Sequence, residues 1–270
     1  MAELEVLNKR FYYSDSGDGS PVLFLHGSMS TGSAWRGIAN ELNGREYRLV
    51  AVDLWGYGRS DDWDEGWPID LSSEAVLVEG LISHLDQPVH LVGHSHGGTL
   101  ALEVARRGRA NLKSLCLFEA TPFNILKTIG ELVLFEELKT AFTGYFDAVS
   151  KQEPHAVRRV IDYWAGRGAY DAMPDNVRAF LDGAVPMNMI NVKAGLASTA
   201  DPQDLARVTI PALAVYGEET AASSKVMSLA ICDLLPKAEG QTVSRAGHFL
   251  ISTHAQKSAE IIDRWIESVG

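Results

Sequence analysis

The chain has 270 residues, 46% of them hydrophobic, enough for one large core in a single α/β domain or in one that carries an insertion. Its 24 basic and 35 acidic residues leave a net charge of −11 without any basic cluster, which argues against nucleic acid or an anionic membrane as a partner. The first residues lack a basic, apolar leader pattern, and no apolar run approaches the ~20 residues that span a bilayer, so neither a secretory signal nor an anchor is expected.

In chain order, residues 5–13 and 21–25 read as strands, parted by the turn Ser14-Asp15-Ser16-Gly17-Asp18-Gly19. The second strand runs into Leu25-His26-Gly27-Ser28-Met29. A helix is expected over about 33–42, ended by Asn43-Gly44. The strand at 47–52 leads into Asp53-Leu54-Trp55-Gly56-Tyr57-Gly58-Arg59-Ser60. The acidic, aromatic stretch 61–67 then reads as a solvated surface loop. Residues 73–85 form an amphipathic helix, with Leu77, Leu81, Ile82 and Leu85 on one face.

A short buried strand at 89–92 and a helix over 99–107 bracket Gly93-His94-Ser95-His96-Gly97. A strand at 112–118 delivers Glu119. From 121 to about 200 helical spacing takes over, beginning with a helix at 125–142. Strand rhythm resumes at 210–217, followed by a helix over 221–235, a strand at 241–244 and a last helix over 255–269. Strands alternating with helices predict a mostly parallel, twisted sheet covered by helices on both faces. Core segments are expected at 1–121 and 201–270, with a helical cap at 122–200. Cys116 in a central strand and Cys232 in a helix read as buried, reduced thiols, which fits the cytoplasm.

The stretch around Ser95 carries the chemistry. A serine flanked at two residues by glycines, between strand and helix, sits on a sharp turn that only glycine hydrogens let the chain make. The turn lifts the Ser95 hydroxyl above the sheet edge and presents the His96 N–H at a helix start. This Gly-x-Ser-x-Gly turn resembles the nucleophile elbow of the α/β-hydrolase family. The Leu25-His26-Gly27-Ser28 turn resembles the family's H-G-x turn, and Arg245-Ala246-Gly247-His248 resembles its G-H pair at the catalytic histidine. The resemblance covers nearly the whole chain, but its motifs are specific only outside the cap.

The resemblance implies a serine nucleophile, Ser95, with His248 as its base and an oxyanion hole from the backbone N–H groups of Ser28 and His96. His254 is the rival base, but it falls within the closing segment and reads as a surface residue. His26 is implied to be structural, and His94 is expected to pack beneath the elbow. A metal site from His26, His94 and His96 has no supporting carboxylate or cysteine spacing. Asp53-x-x-Gly56-x-Gly58-x-Ser60 resembles a family turn in which Asp53 bonds the local backbone.

The acid departs from the family pattern. Where a G-x-x-D turn is usual, the chain reads Gly217-Glu218-Glu219-Thr220, and a threonine hydroxyl cannot stabilise an imidazolium as a carboxylate does. Two sources remain open. Glu119, at the end of the strand after the elbow helix, resembles the glutamate of haloalkane dehalogenases and is favoured on burial logic. Glu218 or Glu219 is the alternative.

Apolar cap residues, Phe123, Leu126, Ile129, Phe135, Phe142, Tyr163, Trp164, Met187 and Met189, are expected to fill the cap core, a minority of them roofing a pocket over Ser95. The reaction implied is hydrolysis of a small to medium carboxylic ester through an acyl-enzyme, with a small-molecule substrate and no cofactor. Dehalogenase and epoxide-hydrolase chemistry needs a carboxylate where this chain has Ser95. The alternatives are a C–C bond, lactone or amide hydrolase with the same triad, or a catalytically weakened ligand-binding member of the fold.

Overall fold

Runs such as 22–25, 49–52 and 115–118 have no polar alternation, and they are buried along their whole length. That is the pattern of a strand covered on both faces. The computed structural model describes residues 2–64, 66–199 and 201–270. Eight strands among them form one sheet: β1 (Ala2–Val6), β2 (Lys9–Ser16), β3 (Ser20–Leu25), β4 (Tyr47–Val52), β5 (Val89–His94), β6 (Leu112–Phe118), β7 (Ala212–Gly217) and β8 (Ala238–Val243). Their order is β1-β2-β4-β3-β5-β6-β7-β8. β1, β2 and β4 pair antiparallel; every pairing from β4 through β3 to β8 is parallel.

The helices are α1 (Arg36–Leu42), α2 (Leu71–Leu85), α3 (His96–Arg107), α4 (Ile125–Thr128), α5 (Leu132–Ser150), α6 (Arg158–Ala165), α7 (Asp175–Gly183), α8 (Val185–Ala197), α9 (Pro202–Leu205), α10 (Ala222–Leu234), α11 (Leu250–Thr253) and α12 (Ala255–Val269). Alternate strand residues feed two separate cores. Leu23, Leu91 and Leu115 pack with α2, α3 and α10 on one face. Phe24, Val92 and Phe118 pack with α1 and α12 on the other. The strand period of two thus builds a doubly covered sheet. Between β6 and β7 the elements among the described residues are all helices, α4 to α9; Ala200, the expected end of the cap, lies outside those residues, as do Met1 and Glu65.

Four local expectations change. The strand read at 5–13 is two strands of a hairpin, because Leu7 and Asn8 take φ of 51° and 59° and reverse the chain. The helix read at 125–142 breaks at Gly130, whose φ of 83° separates α4 from α5. Ile129, expected in the cap core, is consequently exposed. The acidic loop is not simply solvated: Trp63 stacks on Trp55 at 4.4 Å and Trp67 meets Trp55 edge-on at 5.0 Å. No helix among the described residues is long and apolar enough to cross a membrane.

Candidate active site

β5 ends directly in the elbow. Ser95 takes φ 52° and ψ −118°, a conformation that costs a non-glycine residue on the order of 1–3 kcal/mol. Its N–H donates to Phe118 O on the neighbouring strand at 2.9 Å, which holds the turn. The flanking glycines are steric requirements. A Cβ on Gly97 would lie 2.3 Å from Leu25 O, and one on Gly93 would lie 2.4 Å from Gly97 O. α3 begins at His96 itself, earlier than the apolar periodicity indicated, so the His96 N–H is one of the free donors of a helix N-terminus.

Glu119, His248 and Ser95 come together. Ser95 Oγ lies 3.0 Å from His248 Nε2, and His248 Nδ1 donates to Glu119 Oε2 at 2.9 Å. The carboxylate is fully buried at the carboxyl end of β6. Its Oε1 accepts from Gly217 N at 2.7 Å, and Oε2 accepts from Thr220 Oγ1 at 2.6 Å and from Ser224 Oγ. Burial pushes this carboxyl up, but the bonds from His248, Ser224 and Thr220 outweigh it and hold the group at about 2. The His248 ring is stacked under Trp164, 4.7 Å between centroids at 16°, which fixes its plane.

Thr220 therefore has a place in this cluster. Read in the sequence as a missing aspartate, it is a donor to the glutamate on the adjacent strand. Ser224 and the Trp164 stack were not picked out from the sequence. The signal for the hydroxyls was weak: a threonine in the usual acid position, with a serine one helical turn on. Glu218 and Glu219 are exposed, and Glu218 Oε2 accepts from Arg245 N at 3.1 Å. His254 is half-buried, its Nδ1 bonded to Thr253 Oγ1 at 2.9 Å.

His94 and His26 are held by the backbone. His94 Nε2–H donates to His248 O at 2.8 Å, and burial pushes its ring down to about 3. His26 Nε2 accepts from Leu54 N at 2.9 Å, so its proton is on Nδ1, which donates to Gly27 O at 2.7 Å. Burial lowers this ring to about 4. Asp53 accepts from Gly32 N at 2.8 Å and from Arg59 N at 3.0 Å, a brace between two loops. Among the described residues no group of three or more His, Cys, Asp or Glu side chains is placed to hold a metal ion.

Ser95 opens into a cavity of about 440 Å³. Phe123, Phe142, Val160, Trp164 and Leu181 supply its apolar wall, and Ser28, His96, Asn188 and Asn191 a polar one. Of the apolar residues expected over Ser95, Phe123, Phe142 and Trp164 line this cavity; Met187 lines a different groove. In the turn after β3, Met29 N–H donates to Tyr57 OH at 3.1 Å, whereas the Ser28 N–H takes no partner among the described residues. Tyr57, Asn188, Asn191 and Glu74 were not singled out from the sequence, where they read as ordinary loop and helix residues.

Residues 22–261 match the alpha/beta hydrolase family. The chain belongs to that family. It is 26% identical to a pimeloyl-(acyl-carrier protein) methyl ester esterase of Aeromonas salmonicida, a match covering 91% of this chain and 95% of that protein. It is 35% identical to a non-heme chloroperoxidase of Kitasatospora aureofaciens, over only 43% of this chain and 42% of that protein. Among solved structures, a thermophilic esterase of Thermogutta terrifontis aligns with a TM-score of 0.75 at 21% identity, covering 97% and 94% of the two chains. A haloalkane dehalogenase of Bradyrhizobium elkanii aligns with a TM-score of 0.74 at 21% identity, covering 99% and 96%. At these identities the structural likenesses show the fold alone.

Proposed function

We propose that this alpha/beta hydrolase is a serine esterase acting on a small to medium carboxylic ester through an acyl-enzyme. One observation carries the reading: a serine on a strained elbow, 3.0 Å from a histidine whose other nitrogen is 2.9 Å from a buried carboxylate. A serine hydroxyl is a weak nucleophile until a base takes its proton and donors meet the oxyanion. Ser95 Oγ attacks the ester carbonyl as its proton passes to His248 Nε2. Glu119 stabilises the imidazolium through Nδ1. The Ser28 and His96 N–H groups receive the oxyanion. His248 then protonates the leaving alkoxide, and the alcohol departs. Water, deprotonated by the same nitrogen, releases the acid and restores Ser95.

The helices between β6 and β7 act as a cap whose aromatic side chains accept an apolar acyl or alcohol group. The Aeromonas relative, a methyl ester esterase matched over 95% of its length, supports ester over C–C, lactone or amide bonds. The decisive test is labelling with a fluorophosphonate together with p-nitrophenyl ester turnover. The parent should label and turn over; Ser95→Ala should do neither while melting cooperatively. Near-parental turnover by Ser95→Ala would end the serine reading.

A further inference from the structure

Ser28 and His96, the two proposed oxyanion donors, come from unrelated stretches of chain: the turn after β3 and the start of α3. Their side chains nevertheless meet at one residue. Ser28 Oγ donates to Asn191 Oδ1 at 2.8 Å. Asn191 Nδ2 lies 3.1 Å from His96 Nε2. Asn191 is on α8, between β6 and β7, and is only 3% exposed.

Further contacts close the junction. Tyr57 OH donates to Asn191 Oδ1 at 2.5 Å. Asn188 Nδ2, one helical turn before Asn191, donates to Ser28 Oγ at 2.9 Å. Glu74 Oε2 on α2 stands 2.8 Å from His96 Nε2, on which Asn191 also bears. One nitrogen cannot serve both: with its proton on Nδ1 the ring accepts from Asn191 Nδ2 at Nε2, the arrangement the linkage uses, and otherwise Nε2–H donates to Glu74. Burial pushes the Tyr57 phenol above its ordinary range, so it stays a neutral donor. Ser28 Oγ and Tyr57 OH also stand 2.7 Å apart, so two hydroxyl protons serve three contacts, two of which fall on Asn191 Oδ1. In a buried network, displacing one member strands the others.

We infer that Asn191 is a positioning residue: by bonding the side chains of both Ser28 and His96, it sets the spacing of their backbone N–H groups and ties the oxyanion site to the seating of α8. The inference rests on the serine-esterase reading. It deepens that reading by making part of the catalytic geometry depend on the helical segment between β6 and β7.

The test compares the parent with Asn191→Leu, which keeps the branched shape but not the hydrogen bonds, with Ser28→Ala, which keeps the backbone N–H, and with the double variant. Loss of one oxyanion donor costs about 10²–10³ in kcat, and a misplaced donor less. Asn191→Leu should therefore lose roughly tenfold to hundredfold in kcat with KM within about twofold. Its affinity for an alkyl boronic acid, which forms a tetrahedral adduct on Ser95, should fall by the same factor as kcat/KM. Ser28→Ala should lose less, and the double variant should be no worse than Asn191→Leu, because both cut the same linkage.

A raised KM at parental kcat, additive losses in the double variant, or unchanged kinetics in Asn191→Leu would overturn the inference. Should Asn191→Leu fail to fold, Ser28→Ala and Asn188→Ala decide: parental kcat in both refutes the linkage. An inactive parent would instead refute the esterase reading, which Ser95→Ala tests separately.

Discussion

Replacing Glu119 by glutamine changes one oxygen to an amide nitrogen, in a pocket built for two acceptors. The carboxylate accepts from Gly217 N, Thr220 Oγ1, Ser224 Oγ and His248 Nδ1. Glutamine has a single oxygen and must choose. With its oxygen toward Gly217, the NH2 faces the other three. The two hydroxyls can rotate to accept from it, but His248 must move its proton to Nε2, where it can no longer take one from Ser95. With its oxygen toward His248, the Gly217 N–H is stranded, at about 1–3 kcal/mol. That preference alone leaves the competent arrangement a minority, roughly a fivefold to hundredfold loss. Loss of the charge facing the imidazolium adds to it, and by analogy with serine proteases the total should reach ~10³–10⁴-fold in kcat, about 4–5.5 kcal/mol. The assay is turnover of one p-nitrophenyl ester at fixed pH, with Glu218→Gln and Glu219→Gln as controls expected within about tenfold of the parent. A mild Glu119→Gln beside a severe Glu218→Gln or Glu219→Gln would refute the reasoning and move the acid to the turn after β7.

The same carboxyl predicts a pH dependence of stability. Its folded value, about 2, is depressed from an ordinary 4.5, so the unfolded chain binds the extra proton between them. The stabilisation is present above about 4.5 and is lost as pH falls toward 2. The melting-temperature gap between parent and Glu119→Gln should narrow across that window; a gap that widens on acidification contradicts it. The elbow glycine gives a steric prediction. A Cβ at Gly97 meets two backbone carbonyl oxygens, of Leu25 and His26, neither of which can swing aside. Gly97→Ala should lower stability by about 1–3 kcal/mol in denaturant melts and abolish fluorophosphonate labelling. An unchanged midpoint with normal labelling would show that the close approach is not needed.

Much of this molecule is local and therefore readable from the sequence. Unbroken apolar runs mark central strands because both faces of the sheet are covered. Gly93 and Gly97 around Ser95 mark an elbow because a strand and a helix can touch there only without side chains. The glycine before His248 and the His26-Gly27 turn are similarly short-range signals. Where local signals were ambiguous the reading failed. Leu7-Asn8 carries no glycine or proline to mark the hairpin it makes, and helix-favouring residues on both sides of Gly130 conceal a break.

Only the tertiary structure decided which distant groups share one buried site. Glu119 and His248 are 129 positions apart, and Ser28 and Asn191 are 163 apart. No periodicity or turn signal spans such separations. From the sequence, Glu119, Glu218 and Glu219 are all carboxylates near the ends of strands. They differ physically only once the sheet order sets β6 beside β7, burying the first among donors and leaving the other two in water. Strand order and helix seating arise from burial of the whole core, so the contacts of Ser95 with His248 and Glu119, and of Asn191 with Ser28 and His96, exist only in the folded chain.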